Sequence, residues 1–256
     1  MVTRRVSFQP KSNPFSQWKY RSSAIKKYIA VSRHVAETLI RYGVKSERLS
    51  VIPDAIELNF TKAGRSREFR DQLGIRADEI VIGNVGSYSP FKGYEYLVRA
   101  AQVVLKKHPN CRFLFCGGGT QRLSKLAQEL GIAEKIILLS FRDNIPEVLA
   151  SLDMFVLSSL EEGLSLAGIE AMASGLPLVG TQAGGIPDII SEENGILVPP
   201  ANSQALADAI AKLVTDPELR RHLGKEGRRK VEQFFSIEKV ADQILQLYRA
   251  SLNGSG

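Results

Sequence analysis

The stretch EIVIGNVGSYSPFKGYEYLVRAAQVVLKKH, residues 79–108, contains one complete strand–loop–helix unit. Its first eight residues form a run rich in β-branched side chains that closes at Gly86, which is typical of a strand buried on both faces. Apolar residues then recur at helical spacing over residues 93–108, and Pro109 ends that pattern. The unit predicts a strand followed by a helix, as in a parallel sheet.

The same alternation continues toward the C-terminus. Further strands are predicted at residues 111–117, 135–140, 154–159, 177–181 and 195–199, and further helices at 121–131, 145–153, 166–175, 203–214, 218–234 and 237–252. This series predicts an α/β fold in which a Rossmann-like parallel sheet carries helices on both faces. Ligands of such sheets bind at the carboxyl ends of the strands.

The first 60 residues repeat the theme on a smaller scale. Strands are predicted at residues 3–8, 27–32 and 49–54, with one helix that Ser32 caps and Gly43 closes. Three strands and one helix are too few for a sheet with two covered faces. We therefore interpret this segment as a partial second Rossmann-like domain.

Composition and charge restrict the possible partners. Of the 256 residues, 44% are hydrophobic and 24% are charged, which are globular values. Residues 1–36 carry eight basic residues and no acidic one, whereas the rest of the chain carries 26 basic and 27 acidic residues. This uneven distribution argues against a nucleic-acid-coating protein. The basic segment is either a solvated edge or a surface for an anionic substrate or a peripheral membrane contact.

The sequence predicts a cytoplasmic location. A peripheral position at the inner face of the membrane is an open alternative. No apolar run approaches the ~18 residues of a membrane-spanning helix. The first ten residues, MVTRRVSFQP, lack the apolar core of a signal peptide. Cys111 and Cys116 lie five residues apart in one predicted strand, so we expect two reduced core cysteines on opposite faces.

The densest functional signal is SSLEEGLSLAGIEAMASGLPLVG, residues 158–180, where a predicted strand meets a helix. Gly163 permits a tight turn at this junction. The amides of Leu164, Ser165 and Leu166 fall at or just before the helix N-terminus. Free N–H groups and the helix dipole at such an end favour phosphate.

Two glutamates flank this turn. Glu162 lies in the turn itself and Glu170 lies about one turn into the helix. Their carboxylates are suited to accept hydrogen bonds from sugar or ribose hydroxyls. Spacing alone leaves a second reading open, in which both side chains are simply solvated.

Other predicted strand ends add candidates. After Gly86, a short loop leads to Lys92, whose ammonium group can reach the same phosphates. The FCGGGT loop, residues 115–120, permits close approach of a ligand, but it does not match the G-x-G-x-x-G pattern of dinucleotide-binding proteins. The loop at residues 141–146 supplies Arg142 as a further phosphate or base contact. No P-loop, serine elbow or zinc-type cluster is present in the sequence.

These motifs together resemble the retaining GT-B-fold glycosyltransferases of the group 1 type, family 4. AVSRHVAETLIRYGV and LSVIPDAIEL are similar to the end of that family's N-terminal domain. GNVGSYSPFKGYEYLVRAA is similar to its phosphate-binding loop and helix. LEEGLSLAGIEAMASGLPLVGTQAGGIPDII, together with GILVPP, is similar to its two-glutamate motif and the loop that follows. The resemblance covers residues 24–250.

The resemblance implies roles for individual residues. Glu162 and Lys92 take the catalytic positions, at the donor sugar and the diphosphate. The implied substrate-binding residues are Gly86, Ser87, Gly117, Gly118, Phe141, Arg142, Gly163, Leu164, Ser165, Leu166 and Glu170, the last of these at the ribose. No metal and no cofactor is implied, because the nucleotide sugar is itself the donor substrate.

Two departures from the family pattern concern the phosphates. Ser87 stands where the family usually has an arginine, so one diphosphate contact is in doubt, and Arg142 is a candidate to replace it. Leu164 and Ser165 stand where the family usually has phenylalanine and glycine, so the turn is expected to differ.

The resemblance also implies a domain layout. Residues 1–60 correspond to the C-terminal remnant of an N-terminal acceptor domain, and residues 61–236 to the nucleotide-sugar donor-binding domain. Residues 237–256 correspond to a C-terminal helix that crosses back to the remnant. Most of the acceptor domain has no counterpart in the sequence.

The implied function is retaining transfer of a sugar from a nucleotide sugar to a glycan or lipid-linked acceptor, as in cell-surface polysaccharide biosynthesis. We expect this activity of the complete enzyme and expect the 256-residue chain alone to be inactive. Two alternatives stay open: a non-catalytic nucleotide-binding fragment, and a nucleotide-sugar epimerase of the same fold.

Overall fold

The computed structural model describes residues 1–6, 18, 20, 22, 24–58 and 66–253. The strands are β1 (Val2–Arg4), β2 (Tyr28–Ala30), β3 (Leu49–Val51), β4 (Ile80–Val85), β5 (Cys111–Cys116), β6 (Ile136–Leu139), β7 (Met154–Leu157), β8 (Leu178–Thr181) and β9 (Gly195–Val198). The helices are α1 (Arg33–Arg41), α2 (Arg67–Gln72), α3 (Tyr94–Lys107), α4 (Leu123–Glu129), α5 (Ile145–Ala150), α6 (Leu166–Ala173), α7 (Ile186–Ile189), α8 (Ser203–Thr215), α9 (Pro217–Phe234) and α10 (Ile237–Asn253).

The larger sheet has six strands in the order β6-β5-β4-β7-β8-β9, and all neighbours are parallel. The chain enters at the central strand β4, moves outward to β6, and then returns to β7 on the other side of β4. This is the strand order of a dinucleotide-binding sheet, and its direction reverses between β4 and β7. The reversal opens a crevice at the carboxyl ends of these two strands.

Separate apolar clusters cover the two faces of this sheet, which confirms the predicted helices on both sides. Cys111 packs in one cluster and Cys116 in the other, and both thiols are free and buried. The prediction of two reduced cysteines on opposite faces is therefore confirmed. Burial raises the pKa of the Cys111 thiol to about 11, so that this thiol stays protonated at neutral pH.

The smaller sheet consists of β1, β2 and β3, again parallel. Helix α1 begins at Ser32, whose side chain accepts a hydrogen bond from the Val35 amide, as the sequence predicts. Helix α10 packs on this sheet through Val240, which joins Ile29 and Ile52 in a small apolar cluster. The predicted partial second Rossmann-like unit is therefore present. The predicted boundary between residues 60 and 61 lies outside the described residues.

Two short helices, α2 and α7, were not predicted. They span six and four residues, which is too few for a helical period to show in the sequence. The predicted helix over residues 121–131 begins as a 3₁₀ turn at Thr120–Arg122. Residues 7 and 8 of the first predicted strand lie outside the described residues. None of the described helices is long and apolar enough to cross a membrane.

A buried ion pair fastens α2 to the amino ends of the central strands. The Arg70 side chain, only 4% exposed, donates from Nη2 to Asp153 Oδ2 at 3.3 Å and to the Glu79 carbonyl oxygen at 2.6 Å. The Val81 amide donates to the same Asp153 oxygen at 2.8 Å. Asp153 therefore neutralises a buried guanidinium and also satisfies a strand amide.

We predict that Asp153→Ala lowers the free energy of unfolding by about 3–5 kcal/mol, because it removes the carboxylate that neutralises the buried Arg70 charge. Urea denaturation of both proteins measures the difference. Asp78→Ala is the control, since it breaks an exposed pair with Arg76. Exposed pairs contribute little. A similar loss in both variants would contradict the role of burial.

Candidate functional site

The crevice between β4 and β7 begins at two strand ends in close contact. A Cβ atom at residue 117 would lie 2.1 Å from the carbonyl oxygen of Gly86, so only glycine fits at this position. The Tyr94 hydroxyl donates to the same carbonyl oxygen at 2.8 Å. Of the predicted contacts, Gly86 and Gly117 are therefore adjacent. Gly118 also faces Ser87, whose Oγ lies 3.5 Å from the Cβ position of residue 118.

Lys92 and Glu162 meet across the crevice. Lys92 Nζ donates to Glu162 Oε2 at 2.6 Å, and Ser159 Oγ donates to the same oxygen at 3.3 Å. The two charged side chains are 27% and 14% exposed, so the pair is partly screened from water. Burial and the nearby Glu162 charge raise the pKa of the Tyr94 hydroxyl, which therefore remains a hydrogen-bond donor. The structure thus brings together the two residues to which the resemblance assigned catalytic positions.

The backbone beside Lys92 is fixed by a second close approach. Gly93 has φ +60°, and a Cβ atom there would lie 2.2 Å from the Ser158 carbonyl oxygen. The Ser158 hydroxyl donates to the Lys92 carbonyl oxygen at 2.9 Å. These contacts join the loop after β4 to the end of β7, and they determine where the Lys92 side chain starts.

The loop after β8 supports the turn that holds Glu162. The Gly185 amide donates to the Glu162 carbonyl oxygen at 2.9 Å, and a Cβ atom at residue 184 would lie 2.0 Å from that oxygen. Thr181 Oγ1 donates to the Ser159 carbonyl oxygen at 2.5 Å. The carboxyl ends of three neighbouring strands, β4, β7 and β8, therefore position the Glu162 carboxylate.

Helix α6 begins directly after this turn. Ser165 is its N-cap, and the Gly168 amide donates to Ser165 Oγ at 3.2 Å. Leu164 and Ser165 are buried. The predicted amides of Leu164, Ser165 and Leu166 thus lie at the helix N-terminus, where an anion is favoured. The serine hydroxyl itself is engaged in the cap.

Glu170 lies one turn into α6 and is partly buried. Burial raises the pKa of its carboxyl group, and no neighbouring cation compensates. Within the described parts of the chain, no side chain or amide donates a hydrogen bond to this carboxylate. Its hydrogen-bonding capacity is therefore available to a ligand.

The end of β6 places the remaining predicted residues at the outer side of the site. Phe141 is 70% exposed, and Arg142 is exposed beside it. The positive charge of Arg142 opposes the effect of burial on the Cys116 thiol pKa, so its guanidinium lies near the end of β5. No contact joins Arg142 to the Lys92–Glu162 pair in the described structure.

The sequence reasoning missed several supporting residues. Gly93, Ser158, Ser159 and Tyr94 fix the pair but were not singled out. Two signals were available, the dipeptide Lys92–Gly93 at a helix start and the two serines that end β7. Among the described residues, no cluster of histidine, cysteine or carboxylate side chains is suited to hold a metal ion.

A family model described as Glycosyl transferases group 1 matches residues 65–230, which is more than half of the chain. The chain belongs to this family. Among curated members, an uncharacterized glycosyltransferase of Methanocaldococcus jannaschii is 31% identical over 238 residues, which cover 89% of this chain and 61% of that protein. A D-inositol 3-phosphate glycosyltransferase of Corynebacterium urealyticum is 30% identical, covering 94% and 60%.

Solved structures of similar proteins agree with the fold. The Anabaena protein HepE, solved in complex with UDP and glucose, is 25% identical with a TM-score of 0.85, covering 97% of this chain and 71% of that chain. Sucrose-phosphate synthase from Thermosynechococcus elongatus is 28% identical with a TM-score of 0.84, covering 99% and 68%. The predicted GT-B-type α/β fold is confirmed. The chain spans about three fifths of the length of the curated relatives it matches.

We predict that Gly93→Ala destabilises this chain more than Gly74→Ala does, by at least about 1 kcal/mol. Both glycines have left-handed backbones, which cost alanine about 1–2 kcal/mol. Of these two positions only residue 93 also meets a carbonyl oxygen, since no atom of the described residues lies within 4 Å of a Cβ atom at residue 74. Urea denaturation measures both variants, and equal losses would show that the Ser158 contact is unimportant.

A pH-dependent prediction concerns Glu170. Its raised pKa means that the folded state holds the proton more tightly than the unfolded state, so ionisation lowers stability as pH rises through this range. We expect Glu170→Gln to raise the melting temperature at neutral pH. The gain should vanish toward about pH 3, more than one unit below the ordinary glutamate pKa, where both states of the wild type are largely protonated.

The control for Glu170→Gln is Glu37→Gln, an exposed position in α1. At neutral pH this variant should change the melting temperature less than Glu170→Gln does. A stabilisation by Glu170→Gln that grows on acidification would contradict the proposed sign.

Proposed function

We propose that this chain binds the nucleotide-sugar donor of a retaining glycosyltransferase in the crevice between β4 and β7. The observation that carries the proposal is the Lys92–Glu162 pair, which lies next to the N-terminus of α6. A cation and a helix N-terminus together favour a diphosphate, and a carboxylate beside them favours a hydroxyl-rich group. The HepE structure, which contains UDP and glucose, supports the same class of ligand.

Individual roles follow from position. Lys92 and the amides of residues 164–166 hold the diphosphate, and Glu162 accepts hydrogen bonds from hydroxyls of the donor sugar. Lys92 Nζ turns from Glu162 to a phosphate oxygen when the donor enters. Glu170, whose carboxylate accepts no hydrogen bond from the described residues, binds the ribose.

The outer strand ends bind the remainder of the nucleotide. Gly117 and Gly118 leave room for close approach at the ribose, and the exposed Phe141 and Arg142 flank the base. Ser87 contributes a hydroxyl where the family pattern has an arginine. No metal and no cofactor has a role in this proposal.

The chemistry that fits these residues is stabilisation of a leaving group. The bond from the anomeric carbon of the sugar to the diphosphate oxygen breaks, and a bond to the acceptor oxygen forms on the same face. The acceptor proton passes to the departing phosphate. Lys92 and the helix end stabilise the charge that develops on the diphosphate, and fixed donors of this kind are a large source of rate enhancement.

For the acceptor of the transferred sugar, we propose a glycan or a lipid-linked glycan, as in cell-surface polysaccharide biosynthesis. We also propose peripheral membrane contact through the basic N-terminal segment at the cytoplasmic face. One alternative remains specific to this chain. Because the chain spans about three fifths of its relatives' length, the second candidate function is a non-catalytic nucleotide-binding module, whereas family membership argues against an epimerase.

Calorimetry with UDP, GDP and ADP in the presence of EDTA tests the donor site. We predict binding of at least one of them without divalent metal. Glu170→Ala should weaken this binding by about 1–3 kcal/mol, the cost of a lost hydrogen bond to a charged group. Glu162→Ala should not weaken the nucleoside diphosphate affinity, because it leaves Lys92 free for the phosphates, but it should lower the affinity for the nucleotide sugar. An equal loss of affinity for the plain nucleoside diphosphate in both variants would contradict the assignment of Glu170 to the ribose and Glu162 to the sugar.

We predict that the 256-residue chain binds nucleotide but transfers no sugar. Alignment of the acceptor with the reacting carbon accounts for about 7–11 kcal/mol of catalysis, and the three-stranded sheet offers too little surface to provide it. A radiolabelled transfer assay with mixed glycan and lipid acceptors measures the activity. Robust transfer by this chain alone would show that the smaller sheet is a sufficient acceptor wall.

A further inference from the structure

A second crevice, of about 300 Å³, lies where the smaller sheet meets the end of α9. One wall comes from the ends of β2 and β3, through Val31, Val51 and Pro53. The opposite wall comes from Leu164 and Phe234. Leu164 is shared with the proposed donor site, but the Lys92–Glu162 pair does not line this crevice, so the two sites adjoin without coinciding.

The surface of the crevice is mostly apolar and remains accessible. Val51 is 43% exposed and Phe234 is 52% exposed, which is unusual for large apolar side chains that face a cavity between two units. Binding sites for small molecules are typically apolar crevices of this size or larger at such junctions, with a few polar groups that orient the ligand.

Charged groups line one end of the crevice. Arg33 Nε donates to Asp188 Oδ1 at 2.8 Å, and the Arg33 amide donates to Asp188 Oδ2 at 2.6 Å. Both oxygens of the only carboxylate among the described lining residues are therefore occupied by Arg33. Lys230 lines the same crevice but makes no ion pair and no hydrogen bond within the described parts of the chain.

The Lys230 ammonium is thus a partly buried charge without a direct partner. Burial lowers the pKa of this group, and Arg33 adds to that effect, whereas Asp188 and Glu193 oppose it from a distance. An anion in the crevice would supply the missing partner. A charge-assisted hydrogen bond of this kind is about twice as strong as a neutral one.

We propose that this crevice binds a small amphiphile with a single anionic head group, a carboxylate or a phosphate ester. The head group lies at Lys230, and the apolar body lies against Val31, Val51, Leu164 and Phe234. This site does not depend on the proposed donor function, because it uses none of the donor residues' polar groups. Its ligand class follows from one unpaired cation beside an apolar surface.

The test uses octanoate as the probe. Octanol, which has the apolar chain without the anion, and inorganic phosphate, which is an anion without the chain, are the controls. Calorimetry on the 256-residue chain should show octanoate binding, with octanol and phosphate each at least about tenfold weaker. Octyl phosphate should bind as octanoate does. Equal binding of octanol and octanoate, or of phosphate and octanoate, would overturn the proposal.

Variants locate the binding. Lys230→Gln should weaken octanoate by at least about tenfold, whereas Lys225→Gln, an exposed lysine on the same helix, should change it less than about twofold. Phe234→Ala should weaken the binding of octanoate but not that of phosphate. This variant tests the site even if Lys230→Gln fails to fold. An octanoate affinity that none of these variants changes would overturn the site. UDP affinity, measured in parallel, separates this result from any failure of the donor proposal.

Discussion

The close approach of backbone segments at the carboxyl edge of the larger sheet is the constraint on which the site depends. Carbonyl oxygens of Gly86, Ser158 and Glu162 each lie where the Cβ atom of a neighbouring residue would otherwise be. Glycine at residues 93, 117 and 184 removes these clashes. The loops after four strands can therefore pack against one another, and the crevice between β4 and β7 keeps a single shape.

This packing brings opposite charges together and leaves another charge without a partner. Lys92 and Glu162 neutralise each other at the mouth of the crevice, so neither charge destabilises the folded state when no ligand is present. Among the residues that the structure describes, Glu170 has no such partner, and its raised pKa corresponds to a cost to folding. A carboxylate retained at a cost to stability is the pattern expected of a binding residue rather than a core residue.

The turn that carries Glu162 is shared between the two units of the chain. A Cβ atom at residue 163 would lie 2.4 Å from the Arg5 carbonyl oxygen, and one at residue 185 would lie 2.9 Å from the Ser32 side chain. The Arg33–Asp188 ion pair joins the units beside these contacts. Any change in how the smaller sheet sits on the larger one would therefore move the proposed donor-sugar contact, and the crevice at Lys230 opens at the same junction.

The order of strands and helices, the buried faces and the cap at Ser32 were determined by the sequence itself, because β-branched runs, helical periodicity and capping residues act over a few neighbours. The same local logic located Gly163, Ser165 and Glu170 at a strand-to-helix junction. The Lys92–Glu162 pair, by contrast, joins residues 70 positions apart. These residues meet only because β4 and β7 are neighbours in the sheet, and no local sequence pattern predicts that strand order. Short helices such as α7 and the surroundings of Lys230 likewise depend on tertiary packing, since both are set by which segments of the chain meet at the junction of the two units.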